Sequence, residues 1–275
     1  ELTNTYEAIA AENCCDALQI LQYKNEADTK YAYNQFKKDG YQVSVDQPID
    51  IETDNYETGS YLNKNHVVDQ LGLDKAQALT KNKDEFKVAI LDRPYNNKDF
   101  PNNRVITDTS SYTAIDRDEN GNILYDDSGD PIYKSFDIDF NISENKHGTH
   151  VTNVMLDSTS SNVKVYSYCA GINYNYIDEN GNTKSETTNS TSAIISQEID
   201  KIIEDGCKIV NMSIQWKITN SVLALQMKAI LNKLHSNGII VVAAAGNDST
   251  TINDTMFPQC LDYPIIVSSV NNSKS

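Results

Sequence analysis

The stretch SAIISQEIDKIIEDGCKIVNMSI, residues 192–214, decides the fold class of this chain. Its isoleucines recur at helical spacing, which predicts an amphipathic helix over Ser192–Glu204 that ends at Asp205-Gly206. The segment Lys208–Ile214 is short and largely apolar, and it predicts a buried strand. A helix that leads through a short turn into a buried strand is the repeating half of a parallel α/β sheet.

The same order of helix and apolar strand continues on both sides of this stretch. Downstream, Val222–His235 predicts a helix that Asn237-Gly238 ends, and the wholly apolar Ile239–Ala245 predicts the next strand. Strands that are mostly apolar and alternate with helices imply a parallel sheet covered on both faces. The sequence therefore predicts an α/β fold with a doubly wound parallel sheet. Further strands are predicted at Phe86–Leu91, Val163–Ser167 and Ile265–Val270.

The amino-terminal part predicts a small α+β unit ahead of that sheet. Ala17–Tyr23 and Tyr41–Val45 are predicted strands on either side of a predicted helix at Glu26–Lys38. Such a β-α-β piece is too small to be stable alone, so we expect it to pack on the main domain. Asp50–Tyr61 is acidic and lacks periodicity, which indicates a linker. The expected division is a unit with its linker at 1–60 and a main domain at 61–275.

Composition and charge argue against several classes of function. The 23 Lys and Arg residues against 39 Asp and Glu give a net charge of −16, and no basic stripe is present, so no nucleic-acid partner is expected. No apolar run is long enough to cross a bilayer, so no membrane span is expected. The five cysteines form neither a CxxC pair nor a zinc-spaced cluster with histidine, so we expect buried free thiols and predict no metal site.

The acidic segment DRDENGNILYDD, residues 116–127, has two interpretations. Its spacing from Asp116 to Asp127 fits a calcium-binding loop. The alternative is a β-hairpin that turns at Asn120-Gly121. A second DENGN, at 178–182, lacks the first acid of the calcium spacing and favours hairpin turns for both segments. No cofactor is required by any motif, and a structural calcium ion stays open.

The stretch KHGTHV, residues 146–151, predicts a loop that turns into a helix with a functional histidine at its start. Gly148 allows a close approach of the backbone to a neighbouring group. His147 is expected to project from the helix start into a cleft, where an imidazole can act as a general base. The alternative is a surface His147 and a core His150 whose hydrogen bonds are satisfied.

Two more polar residues follow predicted strands directly. Asp92 ends the strand Phe86–Leu91, and Asn247 follows the strand Ile239–Ala245. Ligands of parallel α/β sheets gather at the carboxyl ends of the strands, so both residues are candidates for a site. Asp92 could hold an imidazole in one tautomer, and Asn247 could donate from its amide to a developing oxyanion. The alternative for Asp92 is a cap or turn residue before Pro94.

Four ordered motifs resemble the subtilases, the subtilisin-like serine peptidase family. They are VAILD (88–92), HGTHV (147–151), IVNMSI (209–214) and VVAAAGN (241–247). The similarity covers about residues 65 to 275 and includes GLDKAQAL (72–79) and FPQCLDYPIIVSSV (257–270). It implies a subtilisin-type fold and a serine endopeptidase that hydrolyses peptide bonds by Asp-His-Ser acyl transfer.

The resemblance also implies roles for particular residues and partners. Asp92 is the residue that orients the base, His147 is the base, and Asn247 is the oxyanion donor. The amino-terminal β-α-β piece resembles the end of a subtilase propeptide, which assists folding and inhibits the enzyme. The implied partners are a peptide or protein substrate and the chain's own propeptide-like segment, and a secreted or cell-envelope location is favoured over the cytoplasm. The residues implied to border the substrate backbone are Ser213, Ile214, Gln215 and Trp216.

Several residues depart from the family pattern. Arg93 and Pro94 follow Asp92 where the family has Thr or Ser and then Gly, and Gln215 and Trp216 replace expected glycines. Thr152-Asn153 replaces an expected Ala-Gly behind His147. The Gly-Thr-Ser motif of the nucleophile is absent, so the resemblance implies a fragment whose serine lies in a missing carboxyl-terminal part or on a separate chain.

These departures leave two hypotheses about function. The first is a serine endopeptidase, of which this chain is the amino-terminal part and is inactive alone. The second is a pseudopeptidase that binds peptides or a protein partner and cleaves nothing. The intact His147 and Asn247 favour the first hypothesis, and the residues after Asp92 together with the lost glycines favour the second. A dinucleotide-binding protein is a distant third possibility, because no G-x-G-x-x-G follows any strand.

Overall fold

In the computed structural model, helices and strands alternate along most of the chain. The residues that the structure describes are 2–5, 9–10, 17–18, 21–23, 26–44, 51–52, 71–80, 83–97, 100–107, 112–115, 124–127, 133–136, 146–177, 183–189 and 192–269. The helices are α1 Glu26–Lys38, α2 Leu73–Thr80, α3 Lys146–Ser158, α4 Ser192–Glu204 and α5 Ser221–Ser236. The strands are β1 Leu2–Thr5, β2 Ile9–Ala10, β3 Ala17–Leu18, β4 Leu21–Tyr23, β5 Ile51–Glu52, β6 Phe86–Asp92, β7 Val105–Thr107, β8 Tyr112–Ile115, β9 Tyr133–Phe136, β10 Val163–Cys169, β11 Gly171–Ile177, β12 Thr183–Asn189, β13 Ile209–Met212, β14 Gln215–Lys217, β15 Ile240–Ala244, β16 Met256–Phe257 and β17 Ile265–Val267.

A parallel sheet of six strands forms the centre, in the spatial order β17-β15-β13-β6-β10-β7. From β6 the chain first builds one side of the sheet with β7 and β10, and then the other side with β13, β15 and β17. The direction of building therefore reverses between β6 and β13, which is where open α/β sheets bind ligands. The predicted doubly wound parallel sheet is confirmed.

Helices cover both faces of this sheet, as the apolar strands predicted. Side chains of β6 point alternately to the two faces because a strand has a period of two. Ala89 and Leu91 lie in the larger core cluster with residues of α4 and α5. Val88 and Ile90 lie in a second cluster that includes Leu156 of α3. Strand β6 is thus buried on both faces, and packing against both clusters fixes the position of its carboxyl end.

Two predicted strands are wrong in detail. Ala17–Tyr23 is broken into β3 and β4, which pair with different partners, β2 and β1. Residues 41–44 form no strand. The ring of Tyr41 instead packs edge-on against Phe36, its backbone N–H donates to Phe36, and Ser44 bonds to Gln226 of α5. Tyr41 and Gln42 are exposed and Val43 and Ser44 are partly buried, so the alternating pattern of this segment does not correspond to a half-buried strand.

The hairpin interpretation of the second DENGN segment is confirmed, since the flanking strands β11 and β12 pair antiparallel from Gly171↔Asn189 to Ile177↔Thr183. Strands β8 and β9, which flank the first segment, also pair antiparallel. The proposed turn at Asn120-Gly121 and most of the calcium-loop spacing lie outside the described residues. In the part of the chain that the structure describes, no group of three or more His, Cys, Asp or Glu side chains is arranged to hold a metal ion.

Other features of the chain bear on the remaining expectations. Cys169 and Cys207 are buried and form no disulfide bond, and burial raises the pKa of the Cys207 thiol to about 11. Cys260 is free and partly buried. Among the described residues, no helix has the length and apolar character needed to cross a membrane. Most of the predicted linker at 50–61 lies outside the described residues, so the division at residue 60 stays a prediction.

Candidate active site

Asp92 is the last residue of β6, and its carboxylate is fully buried. Its Oδ1 atom lies 2.6 Å from Nδ1 of His147 and accepts a 2.7 Å hydrogen bond from the N–H of Arg93. The backbone of Asp92 is also fixed, because its carbonyl accepts from the N–H of Ala170 at 2.7 Å. The contact between Asp92 and His147 that the sequence predicted is therefore present.

His147 lies in the first turn of α3, and its side chain is 18% exposed. Because α3 leads back into the parallel strand β10, its amino terminus lies at the carboxyl edge of the sheet. Gly148 allows α3 to approach the backbone of Arg93 closely, because a Cβ atom at position 148 would lie 1.7 Å from the carbonyl oxygen of Arg93. The predicted requirement for glycine at position 148 is confirmed.

The loop after Asp92 is bonded to both elements that flank the pair. The N–H of Asn96 donates to the hydroxyl of Thr149 on α3 at 2.9 Å, and the N–H of Tyr95 donates to Ser167 of β10 at 3.2 Å. The hydroxyl of Tyr95 donates to the carbonyl of Phe100 at 2.6 Å. Tyr95 was missed by sequence reasoning, since nothing in its surroundings marks a tyrosine in a loop as buried.

Arg93 is buried despite its charge, and burial lowers the pKa of its guanidinium, against the opposing effects of Cys169 and Asp92. Its Nε and Nη1 atoms have no hydrogen-bond partner among the described residues. The N–H that Asp92 accepts belongs to Arg93. The other carboxylate oxygen of Asp92, Oδ2, is buried and has no hydrogen-bond partner among the described residues, and Pro94 has no N–H to offer it.

Helix α3 behind His147 is closely packed. Burial lowers the pKa of His150, and the neighbouring His147 lowers it further. Thr152 is fully buried, and its hydroxyl has no hydrogen-bond partner within the described residues. His150 is only partly buried, and a partly buried imidazole next to another histidine is stabilised in its neutral form.

The segment Ser213–Trp216 leaves the central sheet and enters a small antiparallel sheet. The hydroxyl of Ser213 accepts a hydrogen bond from the side-chain amide of Asn211 at 2.9 Å. Ile214, Gln215 and Trp216 are all buried. Residues of β14 pair with β5 on one edge and with β16 on the other. The side chains of Ile214, Gln215 and Trp216 therefore pack inward.

Asn247 follows β15 at the same edge of the sheet and is exposed. Gly246, immediately before it, has φ +90°, and a Cβ there would lie 2.5 Å from Oε1 of Gln215. Only strand β13 separates β15 from β6, so the ends of these two strands lie roughly 10 Å apart. Asp92 and His147 are thus in contact. Asn247 lies on the same edge of the sheet, on the other side of the point between β6 and β13 where the direction of building reverses.

Comparisons with known proteins identify the family and the fold. The model of the subtilase family of peptidases matches residues 83–275. Subtilisin DY of Bacillus licheniformis is 29% identical over 140 residues, which are 50% of this chain and 47% of that protein. The chain therefore spans about half the length of this curated relative.

Among solved structures, the epidermin leader peptide processing serine protease of Staphylococcus aureus is 17% identical, with a TM-score of 0.53 over 92% of this chain and 60% of that one. A serine-to-alanine mutant of the same protease is 18% identical, with a TM-score of 0.53 over 92% of this chain and 61% of that one. At such identities the likeness concerns the fold, which is of the subtilisin type. The chain belongs to the subtilase family.

Proposed function

We propose that the complete protein is a subtilisin-like serine endopeptidase that hydrolyses peptide bonds by acyl transfer. Asp92 orients His147, His147 takes the proton of a serine hydroxyl, and the serine oxygen attacks the scissile carbonyl. The same imidazole then gives its proton to the leaving amine. No Gly-Thr-Ser motif occurs in residues 1–275, so the proposal requires a serine from the carboxyl-terminal part of the complete protein or from a separate chain.

The contact between Nδ1 of His147 and Oδ1 of Asp92, at 2.6 Å, is the observation that carries this proposal. An Nδ1–H that donates to a carboxylate fixes the tautomer in which Nε2 is the basic nitrogen, as a general base requires. The carboxylate also stabilises the imidazolium that forms during the reaction. Because Asp92 is fully buried, water screens this interaction little.

Asn247 and the segment Ser213–Trp216 complete the proposed site. The exposed amide of Asn247 is proposed to donate to the oxyanion that develops on the scissile carbonyl. The side chains of Ile214, Gln215 and Trp216 are buried. We therefore propose that the backbone of this segment, and not its side chains, borders the peptide or protein substrate.

Strand β5 supports an inhibitory role for the amino-terminal part of the chain. Glu52 pairs with Gln215 and Ile51 pairs with Trp216, so β14 has strand partners on both edges. A substrate strand that adds to β14 needs one of these edges. We propose that residues 1–60 act as a propeptide-like segment, which covers the substrate segment until it is displaced.

One observation favours the second candidate, a pseudopeptidase that binds a peptide or protein partner without cleaving it. Arg93 places a buried guanidinium directly after Asp92, with two nitrogen atoms that lack a partner among the described residues. Burying such a cation is costly, and a peptidase that positions Asp92 for catalysis gains nothing evident from it. The two candidates differ in one measurable property, which is the reactivity of a serine.

A fluorophosphonate probe tests the proposal, because it labels only a serine that a base has activated. The complete protein, with residues 1–60 removed, should be labelled at one serine beyond Ser275, and residues 1–275 alone should stay unlabelled. The matched variant His147→Ala should abolish the labelling while it keeps the circular dichroism of the wild type. Labelling of residues 1–275 at a single serine would mean that the nucleophile is misassigned. An unlabelled complete protein with an intact fold would establish the pseudopeptidase.

A further inference from the structure

The side chain of Gln259 joins the short connection after β13 to the end of β15 at the carboxyl edge of the sheet. Its Nε2 donates a 3.0 Å hydrogen bond to the carbonyl of Ile214 and a 2.8 Å hydrogen bond to the carbonyl of Ala244. An amide NH₂ has two hydrogens, so both are used. Gln259 is only 3% exposed, so water competes little for its amide group.

The two carbonyls belong to the two parts of the proposed site. Ile214 lies in the segment that is proposed to border the substrate backbone, and Ala244 ends β15, three residues before Asn247. The ladder between β13 and β15 ends with the pair Met212↔Ala243. Beyond this pair the two chains diverge, and Gln259 adds one more connection, made by a side chain. These two hydrogen bonds, together with the contact of the Gln215 side chain with Gly246, hold the two parts of the site together.

Gln259 is itself held by the chain around it. It follows β16, whose residue Phe257 pairs with Trp216 of β14. A backbone bond from the N–H of Cys260 to the carbonyl of Met256, at 2.7 Å, closes the turn that contains Gln259. The Nε2 end of the amide is therefore held in place, because movement of Ile214 or Ala244 away from it breaks a hydrogen bond, whereas Oε1 has no partner among the described residues.

We propose that Gln259 is a positioning residue, which fixes the placement of Asn247 relative to the substrate segment through its bonds to Ile214 and Ala244. This inference rests on the proposed peptidase function. Oxyanion donors act only when they are held close to the productive geometry, within about 0.5 Å. A side chain that sets the distance between donor and substrate therefore acts on the transition state without touching the substrate.

The test is a double-mutant cycle in the complete protein. Gln259→Met keeps the length of the side chain and removes both N–H donors. With Asn247 present, we expect this change to lower kcat by about 10- to 100-fold with KM nearly unchanged. In an Asn247→Ala background the same change should lower kcat by less than about twofold, because the donor that Gln259 positions is gone.

Arg104 offers a matched control at the opposite end of α3. It also bridges buried carbonyls, with bonds of 2.9 Å to Leu156, 3.0 Å to Val163 and 2.9 Å to Ser160. Arg104→Met should lower stability and leave kcat per folded molecule unchanged. Equal losses in kcat from Gln259→Met in both backgrounds would overturn the positioning role, because a merely structural residue acts independently of Asn247.

Hydrogen–deuterium exchange of the same complete proteins provides a readout that needs no turnover. Peptides covering residues 244–248 should exchange faster in Gln259→Met and at the wild-type rate in Arg104→Met. Unchanged exchange in Gln259→Met would overturn the inference even in an active enzyme. A wild type that cleaves no peptide and binds no fluorophosphonate would refute the proposed function instead, and the exchange result would still decide whether Gln259 holds this turn.

Discussion

Replacing Gly148 by alanine should separate Asp92 from His147. A Cβ at position 148 would lie 1.7 Å from the carbonyl oxygen of Arg93 and 2.6 Å from its carbonyl carbon. Ordinary carbon–oxygen contacts are about 3.3 Å long, so the helix start or the Arg93 peptide must retreat by roughly 1.6 Å. The hydrogen bond between Nδ1 of His147 and Oδ1 of Asp92, 2.6 Å long, adjoins this contact. We therefore expect the two atoms to separate beyond hydrogen-bond distance.

The expected magnitudes decide which measurement is informative. Overpacking costs about 1–3 kcal/mol, but alanine in a helix gains up to about 1 kcal/mol over glycine, so the net loss of unfolding free energy is only about 0–2 kcal/mol. A misplacement of about 1 Å in an active site costs about 100-fold in rate. Activity is therefore the sharper readout, and we expect kcat/KM of the complete protein to fall by about 100-fold or more.

The assay compares Gly148→Ala with Gly238→Ala in the complete protein. Gly238 has φ +70° and no atom within 4 Å of an added Cβ among the described residues, so alanine there strains the backbone without displacing His147. That strain costs about 1–2 kcal/mol. The control should lose stability and keep kcat/KM. The low-field NMR signal of the Nδ1 proton of His147 should disappear in Gly148→Ala alone.

The steric argument fails if Gly148→Ala retains kcat/KM within about threefold of the wild type and keeps the low-field proton signal. That result would mean that the Arg93 peptide can move without disturbing Asp92. The backbone bonds around Asp92 argue against such movement, since the N–H of Arg93 donates to the carboxylate itself at 2.7 Å.

Three further predictions concern other parts of the molecule. Burial, and to a lesser extent His147, lowers the pKa of His150 from 6.5, so the unfolded chain binds this proton more tightly than the folded chain does. The free energy of unfolding should therefore fall as the pH drops from about 7 to 5. In urea titrations, His150→Gln should make that pH dependence weaker. In steady-state assays of the complete protein, Asn247→Ala should lower kcat by about 100-fold or more and leave KM nearly unchanged. This magnitude is taken from the corresponding donor in a subtilisin. An unchanged kcat would remove Asn247 from the mechanism. Limited proteolysis should cut first between Asp50 and Tyr61, and even cleavage along the chain would place the domain boundary elsewhere.

Local patterns in the sequence were sufficient for the central elements. The helix predicted at Ser192–Glu204 has the same bounds in the structure, and the strand predicted at Phe86–Leu91 runs to Asp92. These predictions succeeded because an element that buries one face, or both, must carry apolar residues at its own period. The contact between Asp92 and His147 followed from motif order, since the carboxyl ends of parallel strands meet at one edge.

The sequence could not predict how the chain behaves where it leaves the sheet. The predicted strand Lys208–Ile214 stops at Met212, and residues 215–217 pair instead with β5 and β16. The periodicity does not mark where pairing with the central sheet ends, because Ser213 and Ile214 continue the alternating burial of β13. The partner of a strand is chosen by distant residues, which a local pattern does not contain.

The sequence by itself determined the fold class, the elements of the sheet and the residue types of the candidate site. Only the tertiary structure decided that Gly148 faces the carbonyl of Arg93, that Arg93 and Tyr95 are buried, and that Gln259 bonds to both Ile214 and Ala244. The physical reason is the range of the interactions. Helical and strand periodicity records which face of a local element is buried, whereas these contacts join residues that are close only after the whole sheet has formed.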